Sequence, residues 1–270
     1  MDNNVGFIGA GNMGTALIKG ILKSKSNDKI YVFDIDSSKK SVVESLSENV
    51  IFTHNSDELI QICKYVFLAV KPQQIGGLLE ETAGFMSGET VLISICAGIS
   101  DEFIRQKTDK QVKIVLAMPN TPLMLGFGAT ALSADNLISP EEFDFVRGVF
   151  NAVGITEVVP ASKMNEIICV NGSSPAFIYL FAQGFLEYAA EAGIDLEAAK
   201  ELFVQSLIGA AKMISSSGMP ITELIAQVSS KGGTTVAGLE KMREGKLLDV
   251  VKSACAACTS RAYELNGQKF

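Results

Sequence analysis

Histidine and cysteine are both scarce in this sequence of 270 residues, and neither type is arranged as a metal site. His54 is the only histidine, and we interpret it as a bystander at a predicted strand end rather than as a general base. The five cysteines are scattered and odd in number, which argues against a disulfide framework. Cys255 and Cys258 form a C-x-x-C pair, but with no second pair and no histidine nearby we interpret them as buried small residues. We therefore expect no metal and a reduced, cytoplasmic compartment.

The chain also has fewer basic residues (23 lysines and arginines) than acidic ones (30 aspartates and glutamates). The formal net charge is −7 and the pI is about 4.9, which argues against a nucleic-acid backbone or an anionic membrane as a partner. The opening residues MDNN are polar and a predicted strand follows them directly, so we expect no signal peptide. One apolar segment, 174–193, has the length of a membrane span, but it carries Gln183 and Glu187, and this favours a buried helix.

Glycine, in contrast, is concentrated at the start of the chain, where Gly9, Gly11 and Gly14 follow the spacing G-x-G-x-x-G. An apolar run, 5–8, precedes them, and apolar residues at helical spacing follow them, which is the context of a dinucleotide-binding turn. In such a turn the first glycine permits the tight bend, the second admits the pyrophosphate and the third lets helix pack on strand. The helix N-terminus then offers N–H groups and a partial positive charge. The alternative is a purely structural turn.

The first part of the chain alternates between β-like and helical or loop segments, as expected for βα units with a parallel sheet. The predicted strands are 5–8, 30–33, 65–70, 91–95, 112–117, 129–132 and 156–159. The last two flank a helix for which Ser139 is the predicted N-cap and Pro140 the first position. We expect an α/β fold whose Rossmann-like NAD(P)-binding domain covers residues 1–160.

After Pro160 the pattern becomes helical, which predicts an all-helical C-terminal domain over residues 161–270. Its first long helix has Ser174 as the predicted cap, Pro175 at its first position and Gly193 near its end. Further helices are predicted over 196–215, 221–228, 235–243 and 247–265. A helix that is apolar on most faces must be buried, and in so small a domain we expect a second subunit to bury it. An ordinary intrachain bundle core is the alternative.

Asp34 follows the second predicted strand, 20 residues after Gly14. A carboxylate at this place accepts hydrogen bonds from the adenosine ribose and repels a 2′-phosphate, which favours NADH over NADPH. The run Ser37, Ser38, Lys39 and Lys40 comes next and is compatible with phosphate binding instead. We prefer to interpret these four residues as a solvated helix start.

Three more strand ends carry loop motifs: LAVKPQ with Lys71, CAGIS with Cys96, and AMPNTP with Asn120. Ligands bind beyond the carboxyl ends of the strands in open α/β sheets, so all three motifs can line a dinucleotide groove. A fourth motif, SSKGGTTVAGLEKM at 229–242, places two glycines and two threonines before a helix and is suited to a small anion such as a carboxylate. Ordinary turn and N-cap chemistry is the alternative for each.

Together the motifs resemble those of the pyrroline-5-carboxylate reductase family. The matching stretches are GFIGAGNMG (6–14), AVKP (69–72), AMPNTP (117–122), GSSPA (172–176) and GGTT (232–235), in the order and approximate spacing of that family. The resemblance implies reduction of the cyclic imine 1-pyrroline-5-carboxylate to L-proline with NADPH or NADH. It also implies a helical domain that forms a homodimer or higher homo-oligomer, with an active site shared between subunits. The partners expected are therefore a small-molecule substrate and a second copy of the chain.

The resemblance also implies roles for individual residues. The implied cofactor-binding residues are Ile8, Gly9, Ala10, Gly11, Asn12 and Met13 at the pyrophosphate, Asp34 at the ribose, Asn55 near the adenosine half, Ala69, Val70, Lys71 and Pro72 along the dinucleotide, and Cys96, Ala97 and Asn120 near the nicotinamide. The implied substrate-binding residues are Gly232, Gly233, Thr234 and Thr235. Thr235 is the expected catalytic residue, with its hydroxyl near the imine nitrogen. Hydride transfer from a nicotinamide requires no histidine or carboxylate dyad, and the protein mainly orients the reactants.

Some positions depart from the family pattern. Lys231 stands where a proline is common, Asn171 where a serine often precedes Gly172, and Ala226-Gln227 where Lys-Asp is usual. Two rival functions stay open, the first because it shares the combination of a Rossmann half with a helical half and the second because of Lys231 and Asn171. One is an NAD-dependent β-hydroxyacid dehydrogenase, in which Lys163 is the nearest candidate proton donor. The other is a paralogue that binds NAD(P) as a regulator without turnover.

Overall fold

A computed structural model of the chain describes residues 4–23, 29–108 and 112–265. Its first part alternates strands and helices. The strands are β1 (Val5–Ile8), β2 (Ile30–Phe33), β3 (Val50–Phe52), β4 (Tyr65–Leu68), β5 (Val91–Ser94), β6 (Lys113–Met118), β7 (Gly128–Ala134) and β8 (Gly154–Val158). The helices among them are α1 (Asn12–Lys23), α2 (Lys39–Glu44), α3 (Ser56–Ile62), α4 (Pro72–Thr82), α5 (Asp101–Thr108) and α6 (Pro140–Asn151).

The eight strands form one sheet in the order β3-β2-β1-β4-β5-β6-β7-β8. All neighbouring pairs from β3 to β6 are parallel, β7 runs antiparallel to β6, and β8 is parallel to β7. The chain crosses over between β1 and β4, so the strand order reverses there. A crevice at such a switch point, outside the carboxyl ends of the strands, is where ligands bind in this kind of sheet.

Each face of the sheet is covered by its own apolar layer, because alternate strand residues point to opposite faces. On one face Phe7 and Phe67 stack with ring centroids 4.6 Å apart, and α1 and α6 cover them. On the other face Ile8 and Leu68 pack with residues of α3 and α4, including Leu59. Burial on both faces explains why the central strands are short continuous apolar runs.

The seven predicted strands are confirmed: β1 and β2 have the predicted bounds, and the bounds of the other five differ by at most two residues at either end. The strand β3 was not predicted, because it is three residues long and its apolar signal is correspondingly short. The predicted cap of α6 is confirmed: Ser139 Oγ accepts a hydrogen bond from the Glu142 N–H at 3.2 Å, and Glu142 Oε2 accepts one from the Ser139 N–H at 3.1 Å.

After β8 the described chain is helical. The helices are α7 (Met164–Ile167), α8 (Ser174–Glu191), α9 (Leu196–Ser216), α10 (Ile221–Gln227), α11 (Thr234–Glu244) and α12 (Leu247–Leu265), with a π-helical turn at Ile168–Gly172 between α7 and α8. The prediction of Ser174 as an N-cap was wrong. Ser174 is already helical, because the π-turn leads directly into α8. Its hydroxyl donates a hydrogen bond to the Asn171 carbonyl at 3.4 Å instead of capping the helix.

The chain divides into two compact units, one of residues 1–175 with 257–270 and the other of residues 176–256. In the second unit, every residue of which is described, only Ala189 is buried. Large apolar side chains on its helices are exposed, among them Leu180, Tyr188 and Leu202. No helix within the described ranges is long and apolar enough to cross a membrane.

The prediction that Cys255 and Cys258 are buried was wrong, since both thiols are half-buried. In α12 only Thr259 and Ala262 are buried, and the two cysteines lie one turn before them, at the margin of the covered face. Among the described residues no group of three or more histidine, cysteine, aspartate or glutamate side chains could hold a metal ion.

Candidate active site

The glycine-rich loop between β1 and α1 has a different steric requirement at each glycine. Gly9 has φ of +107°, and a Cβ there would lie 2.4 Å from the Ala69 carbonyl oxygen. A Cβ at Gly14 would lie 2.4 Å from the Gly9 carbonyl oxygen. A Cβ at Gly11 would meet no described atom within 4 Å. Gly9 and Gly14 are therefore required by the packing of the protein itself, whereas Gly11 borders open space.

The helix α1 begins at Asn12, directly after Gly11. The first turn of a helix carries backbone N–H groups without intrahelical partners, and it is the positive end of the helix dipole. The open side of Gly11 is thus next to a set of N–H donors. This arrangement fits a pyrophosphate, because nothing but a hydrogen atom separates the approaching group from the backbone.

Asp34 lies at the carboxyl end of β2, half-buried beside the glycine-rich loop. Its Oδ2 accepts a hydrogen bond from the Ala10 N–H at 2.7 Å, and its Oδ1 accepts one from the Asp36 N–H at 2.9 Å. A carboxylate has about four acceptor sites, so each oxygen can still accept a hydroxyl. The side chain therefore ties β2 to the loop and remains able to bind a diol.

The turn after Asp34 is organised by a second carboxylate. Asp36 Oδ1 accepts hydrogen bonds from the Ser38 N–H at 3.0 Å and from the Ser38 hydroxyl at 2.6 Å. The hydroxyl of Ser38, and then its backbone N–H, hold the pKa of Asp36 below its ordinary value. Both donors of Ser38 are thus directed at a carboxylate.

Asn55 follows β3 and is the N-cap of α3. Its Oδ1 accepts a hydrogen bond from the Glu58 N–H at 2.8 Å. The side chain is exposed, so capping and ligand contact are compatible. The role near the adenosine half stays a prediction.

The residues after β4 lie against the glycine-rich loop. The Ala69 N–H donates to the Ile8 carbonyl at 2.8 Å, and the Ala69 carbonyl is the group that excludes a side chain at Gly9. Lys71 is the extended N-cap residue of α4, and Pro72 opens that helix. The segment therefore continues the crevice from the end of β1 to the end of β4.

Cys96 and Ala97 follow β5, but the Cys96 side chain turns into the protein. Its thiol donates to the Val70 carbonyl at 3.2 Å and lies 3.5 Å from the Leu68 carbonyl. Burial raises the pKa of the Cys96 thiol to about 12, so at neutral pH it is protonated and a poor nucleophile. If residues 96 and 97 contact a cofactor, Cys96 does so through its backbone.

Asn120 follows β6 and is 8% exposed. Its Nδ2 donates to the Asn171 carbonyl at 3.1 Å, and its Oδ1 accepts a hydrogen bond from the Ala129 N–H at 2.9 Å. The side chain is therefore engaged by the protein, and the expected proximity to the nicotinamide concerns the backbone of this segment. The partnership with Asn171 was not anticipated from the sequence, because 51 residues separate the two.

The residues expected to bind substrate form the start of α11, in the second unit. Gly232 has φ of +74°, and Gly233 is the extended N-cap with no side-chain hydrogen bond capping the helix. Thr234 and Thr235 are the first two helical residues and are exposed. The N–H groups of the first turn, which have no intrahelical partners, thus lie next to two exposed threonines and Lys231, and this combination suits a small carboxylate.

Comparisons with known proteins give matches to both parts of the chain. A family model described as pyrroline-5-carboxylate reductase dimerisation matches residues 161–265, and one described as NADP oxidoreductase, coenzyme F420-dependent, matches residues 4–98. The pyrroline-5-carboxylate reductase of Pasteurella multocida is 33% identical over 264 residues, which cover 96% of each chain. A solved structure of the Coxiella burnetii pyrroline-5-carboxylate reductase is 29% identical, with a TM-score of 0.88 and 100% of each chain covered. The Plasmodium falciparum pyrroline carboxylate reductase, solved with NADP bound, is 25% identical, with a TM-score of 0.89 and 98% of each chain covered.

Proposed function

Because the chain belongs to the pyrroline-5-carboxylate reductase family, we propose that it reduces 1-pyrroline-5-carboxylate to L-proline with a nicotinamide cofactor, the last step of proline biosynthesis. The observation that carries the proposal is the glycine-rich loop at the switch point of the sheet. Protein atoms occupy the space that a side chain would need at Gly9 and Gly14, whereas the space beside the third glycine, Gly11, is open. The near full-length similarity to reductases of this name supplies the substrate.

The carboxyl ends of β1, β4, β5 and β6 lie side by side, so a dinucleotide can extend along them. Residues 8–13 would surround the pyrophosphate, and the N–H groups of Gly11, Asn12 and Met13 would donate to it, because those of Gly9 and Ala10 already donate to the Phe33 carbonyl and the Asp34 carboxylate. Asp34 would bind the ribose, and Asn55 would lie at the adenosine side. Residues 69–72 would line the middle, and the backbone of 96, 97 and 120 the nicotinamide half. The bound cofactor would supply the hydride to the imine carbon. The protein contributes orientation and exclusion of water rather than an acid–base dyad.

For the cofactor we propose NADH. The position of Asp34 at the carboxyl end of β2 supports this choice, because a carboxylate there would accept the ribose hydroxyls and repel a 2′-phosphate. The run Ser37–Lys40, which is the competing interpretation, has the donors of Ser38 directed at the Asp36 carboxylate. A second negative charge at this turn further disfavours a phosphate. The relative from Plasmodium falciparum was solved with NADP, so the preference must be measured for this chain.

For the substrate we propose that Gly232, Gly233 and Thr234 surround the carboxylate at the start of α11. The N–H groups of Gly232 and Thr234 would donate to it, because the Gly233 N–H already donates to the Ser230 carbonyl at 2.9 Å. Lys231 is exposed beside them and adds positive charge. The Thr235 hydroxyl would then bind near the imine nitrogen and strengthen its hydrogen bond as that nitrogen gains electron density.

We also propose that the chain forms a homodimer or higher homo-oligomer through residues 161–270, with active sites that both subunits complete. The unit 176–256 supports this, because only Ala189 is buried in it while many large apolar side chains are exposed. Exposed apolar area on this scale marks a protein interface. The cytoplasmic location stays a prediction.

One steady-state assay tests the proposed reaction: oxidation of NADH and of NADPH in the presence of 1-pyrroline-5-carboxylate, with detection of proline. Turnover of a β-hydroxyacid with NAD in place of the imine would establish the dehydrogenase alternative. That alternative requires Lys163, which here is 3.2 Å from the Glu166 carboxylate. Cofactor binding without turnover of either substrate would establish the regulatory paralogue.

A further inference from the structure

The side chains of Asn120 and Asn171 join three segments of the first unit. Asn171 lies in the π-turn, and its Nδ2 donates to the Met118 carbonyl at 2.6 Å and to the Ala129 carbonyl at 3.0 Å. In return, Asn120 Nδ2 donates to the Asn171 carbonyl, and Asn120 Oδ1 accepts from the Ala129 N–H. These four bonds, which we name the asparagine bracket, connect the end of β6, the start of β7 and the π-turn.

The π-turn is also packed closely on β6. The Ser173 N–H donates to the Ile168 carbonyl at 2.8 Å, and this separation of five residues is the hydrogen-bond spacing of a π-helix. A Cβ at Gly172 would lie 3.2 Å from Met118 Sδ. Single π-turns within helices occur frequently at functional sites. Here the turn places Asn171 directly against the last residue of β6.

Asn171 holds two carbonyls at a cost. Its Oδ1 is buried and has no donor among the residues that the structure describes. A buried acceptor without a donor is destabilising. A serine at this position would have a single hydroxyl donor, so it could hold one carbonyl and would leave no amide oxygen unpaired. The asparagine therefore holds the Met118 and Ala129 carbonyls together, whereas a serine could hold one of them.

The asparagine bracket lies at the nicotinamide end of the proposed crevice. The strand β6 is three places from β1 in the sheet, about 14 Å from the glycine-rich loop at ~4.8 Å per strand. Hydride transfer requires the reacting atoms within about 3–3.5 Å, and a displacement of about 1 Å can cost about 100-fold in rate. A small movement of the Met118–Asn120 backbone would thus affect the transfer step while the pyrophosphate site is unchanged.

We infer that Asn171 is a positioning residue, which acts through the asparagine bracket to hold the end of β6 where the nicotinamide binds. The inference rests on the proposed function for its reaction but not for its cofactor site. It predicts that loss of the bracket changes the nicotinamide environment and the chemical step, with little change in cofactor affinity.

The test compares the wild type with Asn171→Ala, which removes both donors, and Asn171→Ser, which keeps one. Glu142→Gln is the matched control, because Glu142 pairs with Lys64 and Lys113 at the amino ends of the strands. If Asn171→Ala does not fold, Asn171→Leu takes its place, since leucine keeps the volume and lacks the donors. Four quantities are measured below the melting temperature of every variant: kcat, the deuterium isotope effect on kcat with NADH labelled at the transferred position, the Kd for NADH, and the emission lifetime of bound NADH.

We expect Asn171→Ala to lower kcat by about tenfold or more, to raise the isotope effect and to change the lifetime, with Kd within about threefold of wild type. Asn171→Ser, which keeps one donor, should lie between Asn171→Ala and the wild type in kcat, isotope effect and lifetime, and Glu142→Gln should lower only the melting temperature. An Asn171→Ala variant that behaves like Glu142→Gln would overturn the inference. A wild type that does not turn over 1-pyrroline-5-carboxylate would overturn the proposed function instead. The NADH lifetime would then still show whether Asn171 changes the environment of the bound nicotinamide.

Discussion

Replacement of Gly11 by valine should abolish cofactor binding and leave the protein folded. A Cβ at Gly11 would meet no atom within 4 Å, so a side chain can begin there without a clash at its first carbon. We therefore expect the free energy of unfolding to stay within about 1 kcal/mol of wild type. The carbon atoms of the valine side chain would occupy the space by which a phosphate approaches the N–H groups of α1.

The size of the effect follows from the hydrogen bonds that would be lost. Each bond to a charged phosphate contributes about 1.5–3 kcal/mol, so loss of two costs roughly 3–6 kcal/mol. The Kd for NADH should therefore rise by about 100-fold or more. Titration of NADH fluorescence measures the Kd, and thermal unfolding of the same sample measures stability.

Two further variants make the result specific. Gly148→Val adds the same atoms at an exposed position of α6 where a Cβ also meets nothing within 4 Å, and it should bind NADH like the wild type. Gly14→Ala places a Cβ 2.4 Å from the Gly9 carbonyl oxygen, so it should lower the melting temperature as well as the affinity. If Gly11→Val binds NADH with unchanged affinity, the loop is not a nucleotide site and the argument from its geometry fails.

Three other predictions concern the substrate, the cofactor and the stability of the sheet. Thr235→Ala should lower kcat by roughly ten- to a thousandfold and Thr235→Ser should recover much of it. Because Gly233 is the N-cap of α11, the alanine variant should keep its stability within about 0.5 kcal/mol, and normal turnover would remove Thr235 from catalysis. The kcat/KM should be higher with NADH than with NADPH, and an NADPH preference of about tenfold or more, roughly 1.4 kcal/mol, would show that Asp34 was misinterpreted. Burial alone would raise the pKa of Glu142, but hydrogen bonds from Lys113, the Ser139 N–H and Lys64 hold it below the ordinary value. The stabilisation is then present above the unfolded pKa of about 4.3 and is lost as the pH falls through the folded pKa. Glu142→Gln should therefore cost roughly 1–3 kcal/mol at pH 7 and less at pH 3. Denaturant unfolding at the two pH values checks this, and an equal cost at both would contradict it.

Local signals in the sequence were sufficient for much of the fold. The strands β1 and β2 and the helix α12 have the predicted bounds, because apolar runs and helical periodicity reflect the burial of each segment directly. The capping box at Ser139 was predicted in part from serine and proline alone, since its geometry involves only four consecutive residues. Where the local signal was weak or shared, as in the short β3 or the π-turn before Ser174, the prediction was incomplete or wrong.

The roles of individual side chains at the crevice were harder to predict from the sequence than the fold. Cys96 and Asn120 were expected at the cofactor because they follow strands β5 and β6. The structure turns the Cys96 thiol to the Val70 carbonyl and engages both polar ends of the Asn120 amide within the protein. A position after a strand predicts which edge a residue occupies, but the direction of its side chain depends on neighbours in other strands.

The sequence by itself determined the glycine-rich turn, the alternation of strands and helices, and the helical second half, because each depends on contacts or dihedral angles within a few consecutive residues. Only the tertiary structure decided that Asn171 would hold the end of β6. Asn171 was visible in the sequence only as a departure from the family pattern. Its two carbonyl partners, Met118 and Ala129, are 53 and 42 residues away. They come together because β7 returns antiparallel to β6, a pairing set by the packing of the whole sheet and not by any local signal.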